Sequence, residues 1–189
     1  MNSVIDNILS RRSTRAYESK QVPDNHLNQI IEAAKYAPSG KNSQSWLFTV
    51  VQNTDSLLEL NEAVKAAFGY EEFKRMNYYG SDFSVADDYN FYYHAPTLVI
   101  VSAPKAYYNN MADCAVALQN IFLAAHSLGI GSCWINQPAI LCDIKPVRDM
   151  LNSFGIPEEH RVCGCAALGY ASKETVLKAR KDGNVVILR

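Results

Sequence analysis

"MADCAVALQNIFLAAHSLGIGSCWIN", residues 111–136, carries two signals end to end. Residues 111–128 are apolar on almost every helical face, interrupted only by Asp113, Gln119, Asn120, His126 and Ser127. A helix of that kind is covered by neighbours on most sides. Gly129 ends it, and "GIGSCWIN" follows as a short strand. A buried helix leading directly into a buried strand points to helices and strands packed in layers around a common core.

Outward from this stretch, the other elements follow from period and punctuation. "WLFTVVQ" (46–52), "PTLVIVSA" (96–103) and "RVCGCAALGY" (161–170) are expected to be buried strands. Residues 2–10 read as a short helix with Val4, Ile5, Ile8 and Leu9 on one face. Pro23-Asp24 opens an amphipathic helix through Leu27, Ile30, Ile31 and Ala34, and Pro38-Ser39-Gly40 stops it. Residues 55–68 and 143–153 are also helical, Pro157 begins a turn, and 70–92 reads as a broken helix and loop. "NVVILR" (184–189) is either one more strand or an extended arm. Because helices follow one another between strands, strict βαβ alternation is absent. An α+β sandwich with a mixed, mainly antiparallel central sheet is expected, as a single domain over residues 1–189. No Gly-x-Gly-x-x-Gly follows a strand and no P-loop occurs, so a Rossmann domain is not supported.

Composition narrows the function classes. The chain has 189 residues, 48% of them hydrophobic, and a net charge of -1, which argues against a nucleic-acid partner. The first ten residues lack the features of a signal peptide, and no apolar run is long enough to cross a bilayer, so a soluble cytoplasmic protein without a membrane partner is expected. Five cysteines, an odd number, fit reduced thiols better than a disulfide framework. Cys163-Gly164-Cys165 lacks the second ligand pair of a zinc site, so core packing is expected there and no metal. His94, His126 and His160 have no spacing that suggests a shared site.

Against that neutral background, "RRSTRAY" (11–17) gathers three arginines, a serine and a threonine. Guanidinium forks match phosphate, and in an extended segment Arg11, Ser13 and Arg15 share one face. A solvated surface turn is the simpler explanation, and a small anionic ligand the sharper one. "APSGKNSQSW" (37–46) adds Ser39, Asn42, Ser43 and Gln44, groups able to hydrogen-bond a polar heterocycle.

Together these two stretches resemble the nitroreductase family of FMN-dependent oxidoreductases. "DCAVALQNIFLAAHSLGIGSCWI", the preceding "HAPTLVIV" and the final "GIPEEHRVCGCAALGY" are similar to the family in the same order. The resemblance implies an α-β-α sandwich and a homodimer with FMN at the subunit interface. It implies that Arg11 and Ser13 hold the phosphate or ribityl chain with Arg12 beside them, and that Arg15 reaches the ribityl or pyrimidine oxygens. Pro38, Ser39, Gly40 and Asn42 would come from the other subunit with Gln44 nearby. Ile135 and Asn136 would offer backbone groups to the flavin edge, and Lys178 and Arg180 would finish the phosphate site. The family usually has proline where Ser45 stands, and the tail lacks the prolines that commonly surround the basic pair.

The resemblance further implies ping-pong hydride transfer from NADH or NADPH to a small planar acceptor such as a nitroaromatic or quinone. No side chain need act as nucleophile, and no catalytic residue is assigned. Tyr70, Phe73, Tyr78, Tyr79, Phe83, Tyr89, Phe91 and Tyr92 either line the acceptor's place or pack in the core. The alternatives are an FMN-dependent oxidase or dehalogenase-like member of the same fold, a non-enzymatic flavin-binding protein, or a small-anion binding module without flavin.

Overall fold

The computed structural model describes residues 2–76, 78, 85–176 and 179–189. The chain runs through α1 (Ser3–Ser10), α2 (Asp24–Lys35), β1 (Leu47–Val51), α3 (Thr54–Ala67), α4 (Glu71–Met76), β2 (Thr97–Pro104), α5 (Asn110–Ser127), β3 (Gly131–Ile135), α6 (Gln137–Leu141), α7 (Lys145–Ser153) and β4 (His160–Gly169). The sheet order is β1-β2-β4-β3, and every neighbouring pair is antiparallel. The sheet itself is thus antiparallel throughout rather than mixed; among the described residues the one parallel pairing is an isolated bridge between Ser13 and Ser132.

Side chains on β2 alternate between two cores, as a strand's period of two requires. Leu98 and Ile100 face a core shared with α3, α6 and α7, while Val99, Val101 and Ala103 face one shared with α2 and α5. The sheet is therefore the middle layer of an α-β-α sandwich, as expected. On β4 a register shift opposite Val101 and Ser102 leaves Cys163 without a partner, so the alternation restarts beyond it. Cys163 and Cys165 are buried, one in each core. Between them, a Cβ at Gly164 would come within 2.8 Å of the Trp134 ring and 2.9 Å of Leu118. That glycine lets Trp134 and Leu118 lie close against β4.

The differences from expectation have physical causes. β1 is only half-buried up to Val51, because it is an edge strand covered from fewer directions. α6 was absent from the expected pattern, since five residues containing Pro138 carry no helical period. Met111 and Val116 on α5 are exposed, so within one chain that helix is not covered all round. Residues 184–189 join no strand and lie exposed, which selects the arm over the extra strand. No helix among the described residues is long and apolar enough to cross a membrane.

Candidate functional site

The backbone leaves α1 at Arg11 and runs extended past the end of the sheet. Thr14 N–H donates to Ser132 O at 2.9 Å, and Glu18 N–H donates to Tyr170 O at 2.9 Å. Thr14 is buried against Gly131, where a Cβ would sit 2.6 Å from its hydroxyl oxygen. Arg11, Ser13 and Arg15 turn the other way and meet around Cys133. Burial pushes the Cys133 thiol up, while Arg15, a hydrogen bond with Ser13, and Arg11 pull it down. The alternation expected of an extended segment is thus realised.

Each arginine is further held by a neutral neighbour. The Arg11 guanidinium carbon lies 5.9 Å from the Phe122 ring centroid, and that of Arg15 lies 5.9 Å from the Tyr93 ring. Cys133 has the largest effect in raising the Arg15 pKa, and Tyr93 adds to it. Arg12 Nη1 donates to the carbonyls of Leu9 and Arg11, each at 2.6 Å, and its Nε is buried without a partner. Burial and the positive fields of Arg12 and Arg180 lower the pKa of Arg11, against a smaller opposing effect of Cys133. The Arg180 charge registers at Arg11 more weakly than Cys133 does; Lys178 lies outside the described residues.

Among the described residues, no ion pair involves Arg11, Arg12, Arg15 or Arg180. Like charges gathered without a carboxylate form an incomplete arrangement that an anion completes. Beside Arg11 and Arg12 lies a cleft of about 300 Å³, lined also by Ser10, His126, Ser132 and Thr175. Ser132 Oγ is buried there with no hydrogen-bond partner. Orphaned donors beside unpaired guanidiniums fit a phosphate group.

The second set of expected residues lies elsewhere in the chain. Pro38, Ser39, Gly40, Asn42 and Gln44 follow α2 and dock on the start of α5. Gly40 N–H donates to both carboxylate oxygens of Asp113, at 3.2 and 3.1 Å. The Arg11 cluster, by contrast, meets the end of α5, where His126 pairs with Ser10 at 2.9 Å. Asp113 and His126 are thirteen residues apart, about 20 Å along a helix axis. One chain does not bring the two sets together.

At the far end of β3, Ile135 is buried, while exposed Asn136 accepts a hydrogen bond from Trp134 Nε1. Ser45 keeps a buried hydroxyl without a partner. The aromatic segment divides: Phe73, Phe91 and Tyr92 are buried in the core, Tyr89 packs against it, and Tyr70 and Tyr78 are exposed. Tyr79 and Phe83 lie outside the described residues. Residues about the site that had not been singled out for it include Tyr93, Cys133, His126 and Ser132 beside the arginines, and Asp113 with Tyr107, whose hydroxyl donates to it at 2.7 Å, beside the loop. A carboxylate interrupting an apolar helix was the available signal for Asp113, whereas Tyr93 and Tyr107 carried none.

A sequence model of the nitroreductase family matches residues 8–170. A putative NADH dehydrogenase/NAD(P)H nitroreductase of Archaeoglobus fulgidus is 32% identical over 92% of this chain and 88% of its own. A nitroreductase with bound FMN from Bacteroides fragilis is 48% identical, with full coverage of both chains (100%) and a TM-score of 0.90. Another with bound FMN, from Desulfitobacterium hafniense, is 25% identical over 100% of both chains with a TM-score of 0.83.

Proposed function

The chain belongs to the nitroreductase family, and on that premise we propose a single FMN-binding domain over residues 1–189 that oxidises NADH or NADPH and reduces a small planar acceptor. The observation carrying this reading is the group of Arg11, Arg12, Arg15 and Arg180, which has no carboxylate partner among the described residues. Arg11, Arg12 and Arg180 hold the phosphate, with Lys178 assigned there by family resemblance alone. Ser13 donates to the phosphate or ribityl chain. Arg15, kept in place by Tyr93, puts a positive charge beside the pyrimidine oxygens, where reduction of a flavin builds negative charge. Backbone groups of Ile135 and Asn136 serve the ring edge.

FMN, when bound, would supply hydride acceptance from NADH or NADPH and hydride return to an acceptor, two half-reactions that would alternate in a ping-pong cycle. The chain's task is to bind, orient and set the local charge. Arg15, Tyr93, Asn90 and His94 line a cleft of about 420 Å³, of a size for a flat aromatic molecule such as a nitroaromatic or quinone.

The site is completed by a second copy. The Arg11 cluster and Ser39–Gln44 sit at opposite ends of α5, so two antiparallel α5 helices bring one chain's loop to the other chain's arginines. Apolar side chains left exposed by one chain, among them Val4, Leu9, Val116 and Trp134, give such a pairing its surface. The five free thiols are consistent with the reducing cytoplasm.

The purified protein is expected to be yellow, to lose its flavin bands on anaerobic addition of NADH or NADPH, and to turn over with a nitroaromatic or quinone. A colourless protein that does not take up FMN overturns the reading. Bound FMN that is not bleached favours a non-enzymatic carrier. Bleaching without turnover favours the oxidase or dehalogenase-like branch.

A further inference from the structure

The loop after α2 has an unusual backbone. Lys41, Asn42 and Gln44 all lie in the left-handed region, at φ values of 55°, 54° and 47°. Residues other than glycine seldom adopt it, and each such residue persists only where its surroundings enforce it. None of the three side chains is buried, so packing of their own bulk does not enforce it.

The residues flanking them, Gly40 and Ser43, are bonded to an anchor on the first turn of α5. Asp113 is 6% exposed and forms none of the ion pairs among the described residues. Its carboxylate accepts from Gly40 N–H and, at 2.7 Å, from Tyr107 Oη–H. Ser43 Oγ approaches the same carboxylate at 3.5 Å and donates to Tyr107 Oη at 2.7 Å. Gly40 itself is clamped: a Cβ there would meet Asn109 Nδ2 at 2.1 Å and Tyr107 Oη at 2.9 Å. Within the loop, Gln44 N–H donates to Ser39 Oγ at 3.1 Å and Gln44 Nε2 to Asn42 Oδ1 at 3.0 Å. A buried carboxylate, a phenol and a glycine closely approached by Asn109 and Tyr107 thus hold one end of the loop. The exposed amides of Asn42 and Gln44 are left at its outer edge. Strain held this firmly is characteristic of a segment that must present groups in one shape.

We propose that Asp113 and Tyr107 are positioning residues for the cofactor site of the neighbouring subunit, holding loop 39–44 in the shape that presents Asn42 and Gln44 across the interface. The proposal rests on the shared-site reading above. It makes Asp113 act on a site other than the one built by its own chain's arginines.

Mixed dimers, made from differently tagged chains, test this through FMN content measured by absorbance. An Asp113→Asn chain is paired with an Arg11→Ala chain; separately, a chain carrying both substitutions is paired with an unaltered one. If Asp113 serves the neighbour, the first pairing keeps one intact site per dimer and the second keeps none. If Asp113 only supports its own subunit, the first keeps none and the second keeps one, which overturns the proposal. Replacing Asp113→Asn by Asn42→Ala in both pairings tests the shared site itself. Failure of that control refutes the shared site; success of the control with failure of Asp113→Asn refutes only the positioning role. Should Asp113→Asn not yield a dimer, Tyr107→Phe, which removes one oxygen atom, carries the same comparison. The uniform Tyr107→Phe dimer is expected to bind FMN roughly tenfold more weakly, and unchanged affinity counts against Tyr107.

Discussion

Arg15→Ala removes a guanidinium that Tyr93 holds in place and that no carboxylate among the described residues pairs with. Folding loses little from this change, while a bound flavin loses a charged hydrogen bond. FMN affinity is expected to fall by about one to two decades, ~1.5–3 kcal/mol, with the dimer intact. Fluorescence titration of the apo-protein measures it, and unchanged affinity removes Arg15 from the site. His126 offers a second measurement at this scale. Burial, together with Arg11 and Arg12, holds its imidazole below the ordinary value. The unfolded chain therefore binds that proton more readily than the fold does. The associated stability is present above the ordinary value near 6.5 and is lost as pH falls from there toward the folded value. A phosphate beside Arg11 and Arg12 offsets their charge, so FMN is expected to raise the His126 pKa in an NMR titration. No change would place the phosphate away from that end of the site. The shared face of Arg11, Ser13 and Arg15 was legible in the sequence, because extended backbone has a fixed period. Tyr93 was not: it reaches Arg15 through a left-handed backbone at residues 93–94, with φ 56° and 55°, which nothing in the local residue types announces.

Among the secondary-structure elements, α5 and β3 were legible because a long apolar run, the Gly129 stop and a short strand pattern follow one another, although Met111, Val116 and Trp134 are exposed in one chain. α6 escaped because it is five residues long, and the half-buried state of β1 depends on its edge position, which only the sheet order reveals. Cys163-Gly164-Cys165 shows what a short motif can hide. Its cysteines fill opposite cores, and the glycine makes room for Trp134 and Leu118. Gly164→Ala is expected to lower stability by about 1–3 kcal/mol through overpacking, read as a lower thermal midpoint. An unchanged midpoint would mean that Trp134 moves aside freely. FMN affinity is expected to change less than in Arg15→Ala, since Gly164 lies in the core layer and not among the arginines.

At the scale of the whole molecule, the positions of α5's two ends govern the rest. The arginine cluster gathers at its last turn and the strained loop at its first, about 20 Å away, and the proposed pocket, which uses both, therefore calls for a second chain. Family resemblance implies that Pro38, Ser39, Gly40 and Asn42 come from the partner with Gln44 nearby, and their separation from the arginine cluster within one chain is compatible with that proposal. Residues 185–188 and the apolar face of α1 are exposed in one chain, and the proposed dimer would have apolar surface to cover there. The sequence displayed these apolar residues but could not display their exposure, because burial depends on what the fold brings over them. On the proposed shared site, cofactor retention and subunit association are one equilibrium. Sedimentation velocity of the holoprotein across a dilution series, followed at the flavin's visible band, tests this most directly. The account predicts that flavin sediments with the dimer and is released as the dimer dissociates. A monomer that sediments with one FMN bound would contradict it.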